Sequence, residues 1–330
     1  MIRTQIIGAA VALLAGAPAL AATYTVNVGN PLDLGSVAAA PSGDTVFRIN
    51  PSTGAVSVVS GTGRRIAAGA VRALVTVTCR PSRVDDGACR DNNVPIQAGV
   101  IGLITGRARA LRNFSVAMGT AVQIGPSSGT SPLNFTIGPI GDNQSKTFFV
   151  GADFAVAGDD SGLASGPGEN AFFVYALDQG GLSMGGDTDR GRVQAFRGLA
   201  VGKTADLDFG RIQLPTTGQS IVTLNASTGV RTVSGSGFGF PTPAPTRAAF
   251  TVTGEGGQVV SISIPASFNL SGPATLAVNV THTAVATPRL SGAVGAAGTY
   301  GFNIGGSVTL TPTTPSGAYS GVLTLSVDYN

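Results

Sequence analysis

The sequence predicts an all-β protein built as two tandem Greek-key β-sandwiches. Three observations carry that expectation. Val, Thr, Ala, Ser and Gly dominate, with 48 Gly and no Trp among 330 residues, which suits short strands joined by tight turns. No stretch beyond the N-terminus shows the apolar period of an amphipathic helix. A set of short motifs also occurs twice, 175 residues apart.

The chain opens with Arg3, an apolar run over residues 6–14 and the triplet Ala19-Leu20-Ala21. A positive start, an apolar core and a small-x-small site describe a cleaved signal peptide over residues 1–21. The run is shorter than the ~20 residues that span a bilayer. The expected destination is the periplasm, then the cell surface or the medium, with no membrane span in the mature chain.

The net charge is +3 and only 11% of residues are charged. The densest basic groups, Arg64-Arg65 and Arg107/Arg109/Arg112, have no interleaved aromatics, so no nucleic-acid partner is expected. Cys79 and Cys89 enclose a nine-residue loop. In an oxidising compartment they should pair. With His282 the single histidine, no zinc set can form, and neither a metal nor a cofactor is expected.

The repeat organises the rest. Leu32-Asp33-Leu34-Gly35 returns as Leu207-Asp208-Phe209-Gly210, and Asn50-Pro51-Ser52-Thr53-Gly54 as Asn225-Ala226-Ser227-Thr228-Gly229. The strand-like 73–78 returns as 248–253 at the same spacing. Phe148-Phe149-Val150-Gly151 resembles Phe302-Asn303-Ile304-Gly305, where the spacing has dropped to 154, so the first copy is about 21 residues longer in its middle. The cysteine loop lies in that longer stretch. The expected domains are a first sandwich over 22–178, a Gly-rich linker over 179–195 and a second sandwich over 196–330. In the second copy strands are expected at 220–224, 230–233, 248–253, 258–264, 275–281, 298–304, 307–311 and 320–329.

The last residues alternate: Leu323, Leu325, Val327 and Tyr329 share one strand face. Gly317 is the fourteenth residue from the end, counting Asn330 as the first. This frame resembles the C-terminal strand of chaperone–usher pilins. With Asp206-Leu207-Asp208-Phe209-Gly210, Asn225 to Gly229 and Phe250-Thr251-Val252-Thr253-Gly254, the chain also resembles an uncharacterised family of exported proteobacterial pilin-like sandwiches. That family is similar to spore-coat-protein-U-like domains.

The resemblance implies an immunoglobulin-like, pilin-like fold and a secreted structural subunit of a fimbrium or pilus, at its tip or in its shaft. Its partners would be other pilus subunits, a periplasmic chaperone and a surface receptor. Gly317, Leu323, Leu325, Val327, Tyr329 and Asn330 would form the assembly strand, and Tyr24, Val26 and Val28 a strand donated to a neighbour. The alternatives are self-contained sandwiches, and a free periplasmic or extracellular binding module without catalysis.

Two Gly-x-Ser-x-Gly matches, 125–129 and 181–185, lack the helix and nearby histidine that a nucleophile elbow needs, so no enzyme is expected. Asp159-Asp160 and Asp187-Thr188-Asp189 match no calcium loop and are expected as solvated turns.

Overall fold

The computed structural model describes residues 22–66, 71–83, 87–178 and 181–330. The segment expected as a signal peptide, residues 1–21, lies outside them. The protein is an all-β sandwich chain with two units.

The first unit comprises β1 (Thr23–Val28), β2 (Leu32–Ala38), β3 (Thr45–Ile49), β4 (Val56–Ser60), β5 (Arg64–Arg65), β6 (Ala73–Arg80), the one-turn α1 (Ala88–Asp91), β7 (Val94–Ile104), β8 (Arg112–Met118), β9 (Gln123–Ser128), β10 (Leu133–Ile137), β11 (Ser145–Val156), β12 (Gly166–Leu177) and β13 (Ser183–Phe196). The second comprises β14 (Ala200–Ala205), β15 (Ile212–Gln213), β16 (Ser220–Leu224), β17 (Arg231–Val233), β18 (Phe238–Gly239), β19 (Ala248–Glu255), β20 (Val260–Ser263), β21 (Ser267–Ser271), β22 (Thr275–His282), β23 (Ala297–Leu310) and β24 (Ser326–Tyr329).

One sheet of each unit runs in the same order. In the first it is β1-β6-β11-β3-β4, with β8 also on β11; in the second it is β14-β19-β23-β16-β17, with β22 also on β23. The turns agree bond for bond. Asn50 Oδ1 accepts from Ser52 and Thr53 N–H, and Asn225 Oδ1 from Ser227 and Thr228 N–H. Asp33 and Asp208 carboxylates accept from Gly35 and Gly210 N–H at 2.8 and 2.7 Å. Arg72 and Arg247 donate to turn carbonyls of Pro51–Ser52 and Ala226–Ser227. Gly54 and Gly229 close these turns at φ 74° and 72°, where a side chain would be strained.

The second sheets differ. In the first unit the order is β5-β2-β13-β12-β7-β10-β9. In the second unit the described residues place two short pairs there, β15–β18 and β20–β24, with Val259 bridging Arg289 beside β20. The cores differ with them. The first has 35 buried apolar residues with five partly buried beside them. The second is split into clusters of six and four buried residues, flanked by twelve and seven partly buried ones.

Three expectations are corrected. The stretch expected as a linker, 179–195, holds most of β13, which pairs antiparallel with β12 and parallel with β2. Residues 179 and 180 lie outside the described set. Its glycines and acids read as a loop, but a ladder on each side fixes it as a strand, and Val28 N–H donates to Asp187 Oδ2 at 2.8 Å. The first unit therefore extends to Phe196. Residues 298–304 and 307–311, expected as two strands, form the single β23.

The third correction concerns the donor strand. Tyr24, Val26 and Val28 lie in β1, which pairs along its whole length with β6 of its own unit, and all three side chains are buried in that core. Lending β1 away would strip this ladder and expose Val75 and Val77.

Cys79 and Cys89 form a disulfide between β6 and α1, buried in the first core. Closing a loop this short contributes about 3 kcal/mol in the chain-entropy model. Cys79→Ser with Cys89→Ser should lower the first unit's unfolding free energy by about that amount in urea titrations.

Asp153, on β11, is buried and ion-paired with Arg48 of β3 at 2.6 Å, and Asn113 donates to it at 2.8 Å. Burial pushes its pKa up, but the Arg48 and Asn113 hydrogen bonds and the charges of Arg48 and Arg112 outweigh this and hold it below the usual carboxylate value. A depressed native pKa stabilises above the unfolded value of about 4 and loses that stabilisation as pH falls through the native value. Wild type should therefore lose more stability than Asp153→Asn when melting is followed from pH 5 to pH 2.

Candidate assembly edge

Alternation places Leu323, Leu325, Val327 and Tyr329 against the second core, each half-buried. Val322, on the opposite face, is 84% exposed. The ladder is shorter than the sequence suggests. Ser320 bridges to Ser271, and 326–329 pair with β20, while 321–325 pair with nothing in a ladder. Opposite them β20 has ended and Pro265 intervenes, which has no N–H to offer.

The pairing phase decides which backbone groups are free. Asn330 N–H donates to Val259 O at 3.0 Å. In an antiparallel ladder bonded pairs recur every second residue, so Asp328 and Ser326 also face β20. The N–H and C=O of Val327 and Tyr329 therefore face outward. β20 is closed on its far side, since Val260 and Ile262 N–H donate to Pro288 and Ala286 O at 3.0 and 2.9 Å. Among the described residues, no strand pairs with the outer edge of β24.

The first unit shows what stands there when the sheet is whole. β7 corresponds to β20 and β12 to β24: β7 and β20 follow β6 and β19, β12 and β24 follow β11 and β23, and β12 pairs antiparallel with β7 as β24 does with β20. β2–β5 corresponds to β15–β18: Val37 and Ala38 pair with Arg65 and Arg64, and Ile212 and Gln213 with Gly239 and Phe238. Between β2 and β12 lies β13. Between β15 and β24 the described residues place no strand, and the sheet is broken into two pairs. Partly buried apolar side chains pack on the two clusters of the second unit: Leu207, Leu323 and Leu325 on one, and Phe209, Ile212 and Leu270 on the other.

One end of the edge is tied to the first unit. Tyr329 Oη donates to Arg197 O at 2.8 Å and accepts from Glu255 N–H at 2.7 Å. Burial is the main cause that pushes its pKa up, to about 12, so the hydroxyl stays protonated. Glu255 is buried and accepts from Arg197 and Gly295 N–H. Asp328 meets Arg64 of β5 at 2.5 Å, both partly exposed. Gly198 N–H donates to Asp159 Oδ2 at 2.8 Å, and Asp159 pairs with the buried Arg107 at 2.6 Å.

Of the other residues singled out from the sequence, Asn330 continues the β24 ladder through its backbone. Gly317 packs on Pro273, where a Cβ would lie 2.5 Å from the ring. Asn330 is bonded through its backbone only to Val259 in the ladder and is exposed. His282 ends β22, exposed, in the second unit, whereas Ser127 and Ser183 lie on β9 and β13 of the first. Asp159 pairs with Arg107, and Asp187 and Asp189 lie on β13. Among the described residues no group of three or more His, Cys, Asp or Glu could hold a metal ion, and no helix is long and apolar enough to cross a membrane. Sequence reasoning missed β15 and β18, too short to show periodicity, and with them the gap.

Residues 199–329 match a family described as a domain of unknown function, DUF4402. No curated protein matches the chain. Among solved structures, the chain is similar to the CsuC–CsuE chaperone–tip adhesion subunit pre-assembly complex from archaic chaperone–usher Csu pili of Acinetobacter baumannii, at 10% identity and a TM-score of 0.28, covering 92% of this chain and 100% of that one. It is also similar to a chaperone–tip adhesin complex of CFA/I fimbriae biogenesis, at 11% identity and a TM-score of 0.22, covering 92% and 98%.

Proposed function

We propose that this protein is an exported, non-enzymatic structural subunit whose second unit is an acceptor sandwich. An extended segment of another polypeptide, from a subunit or an assembly chaperone, completes it by entering between β15 and β24. The observation that carries this reading is the missing counterpart of β13. The same sheet order that is closed in the first unit is open in the second, along an edge lined by half-buried leucines.

An entering strand gains ladder hydrogen bonds along β24, and its alternate side chains cover the exposed core. Left open, such an edge is an aggregation hazard. The two units are read as copies of one pilin-like fold. The first is self-complemented by β13 and free to present a receptor surface; the second is built for assembly into a fimbrial polymer. The disulfide fits export to an oxidising compartment.

The test is binding of a ten-residue peptide with leucine at alternate positions to the full chain, followed by backbone amide shifts. The expected result is saturable binding with shifts at Leu323 to Tyr329, lost in Leu325→Asp and with a scrambled peptide. A chain that binds no such peptide, and stays monomeric and soluble alone at high concentration, overturns the reading.

A further inference from the structure

The open edge of β24 runs into a cleft between the two units. Arg64, Arg65 and Pro41 of the first unit line it, facing Leu199, Val327 and Tyr329 of the second. Arg64 is paired there with Asp328. Arg65 is half-buried, and its Nε is shielded from solvent without a hydrogen-bond partner. A buried guanidinium nitrogen left unbonded is costly, and two arginines against one carboxylate leave the cleft cationic. An arginine in this state suits a carboxylate, which can satisfy the guanidinium with charge-assisted bonds.

The direction of entry follows from the first unit, where the filling strand β13 is antiparallel to β12. A strand laid antiparallel on β24 begins opposite Tyr329, at this cleft. Resting on the acceptor reading above, we propose that the cleft receives a carboxylate at the N-terminal end of the inserted strand and pairs it with Arg65. Both units then recognise the partner: the second reads its alternating apolar side chains, and the first reads its leading acid. The partner class is an extended peptide with an Asp or Glu just before its apolar alternation.

Two N-acetylated peptides of the alternating-leucine pattern, one with Asp and one with Asn at the first residue, separate the two ideas on the full chain. The Asp peptide should bind about tenfold more tightly, a difference of about 1.4 kcal/mol. That preference should vanish in Arg65→Gln and persist in part in Arg65→Lys. The variants should keep the wild-type melting temperature, because the shielded Arg65 Nε has no hydrogen-bond partner to lose in the free chain. Equal affinities on wild type, or a preference unchanged by Arg65→Gln, overturn the cleft inference and leave the acceptor reading standing. Failure of both peptides to bind wild type overturns both.

Discussion

A ten-residue strand of alternating leucine and threonine, fused after Asn330 through a short glycine turn, should raise the melting temperature of the second unit by about 15 °C. Five inserted side chains contribute about 1.5–3 kcal/mol each, and ladder hydrogen bonds about 1 kcal/mol each. Ordering the strand costs about 1.5 kcal/mol per residue. The net gain is about 5 kcal/mol, and each 1 kcal/mol moves the melting point of a unit this size by about 3 °C. Scanning calorimetry of the fused and parent chains reads the shift. No shift would mean that the core beside Leu323 and Leu325 is already satisfied. A fusion with the alternation moved by one residue should fail, because it turns every leucine to solvent.

Phe148→Ala should destabilise the first unit by about 3–5 kcal/mol. Phe148 is fully buried on β11 and meets Phe135 edge-on at 5.1 Å. Its sequence counterpart Phe302 lies on β23, stacked on Phe250 at 5.4 Å. Phe302 is buried too, but Phe250, Tyr300 and Val280 around it are only partly so. Phe302→Ala should cost about half as much, because a half-open core loses less on truncation and relaxes more readily. Urea titration by circular dichroism measures both. Equal losses would contradict the unevenness of the two cores.

That unevenness was only partly legible in the sequence. Repeated motifs announced the turns, because Asn50 and Asn225 must accept from the next backbone amides wherever the loop closes this way. The alternation of 323–329 announced which face of the last strand is apolar. The cysteines announced their own pairing. What failed was β13. Gly185 and Gly186 in it carry no apolar signal, and its strand character comes from neighbours on both sides: Gly186 lies against the Tyr175 ring, and Gly185 against the Tyr24 carbonyl. Local composition cannot report such a constraint.

Misreading β13 as a linker also hid the gap, since the missing strand of the second unit is visible only once the first unit is known to have one. The donor reading of Tyr24, Val26 and Val28 failed for a related reason. Alternation marks a strand but does not say whose sheet it joins, and β6 claims it.

Amide hydrogen exchange on the full chain tests the open edge most directly. Leu323, Leu325 and Val327 should exchange within about an order of magnitude of free peptide, since their N–H groups meet no ladder partner. Phe172, Val174 and Ala176, on β12 between β7 and β13, should be protected by several orders of magnitude. Equal, strong protection at both sets of positions would mean that the edge of β24 is already covered in the isolated protein, and the account would be wrong.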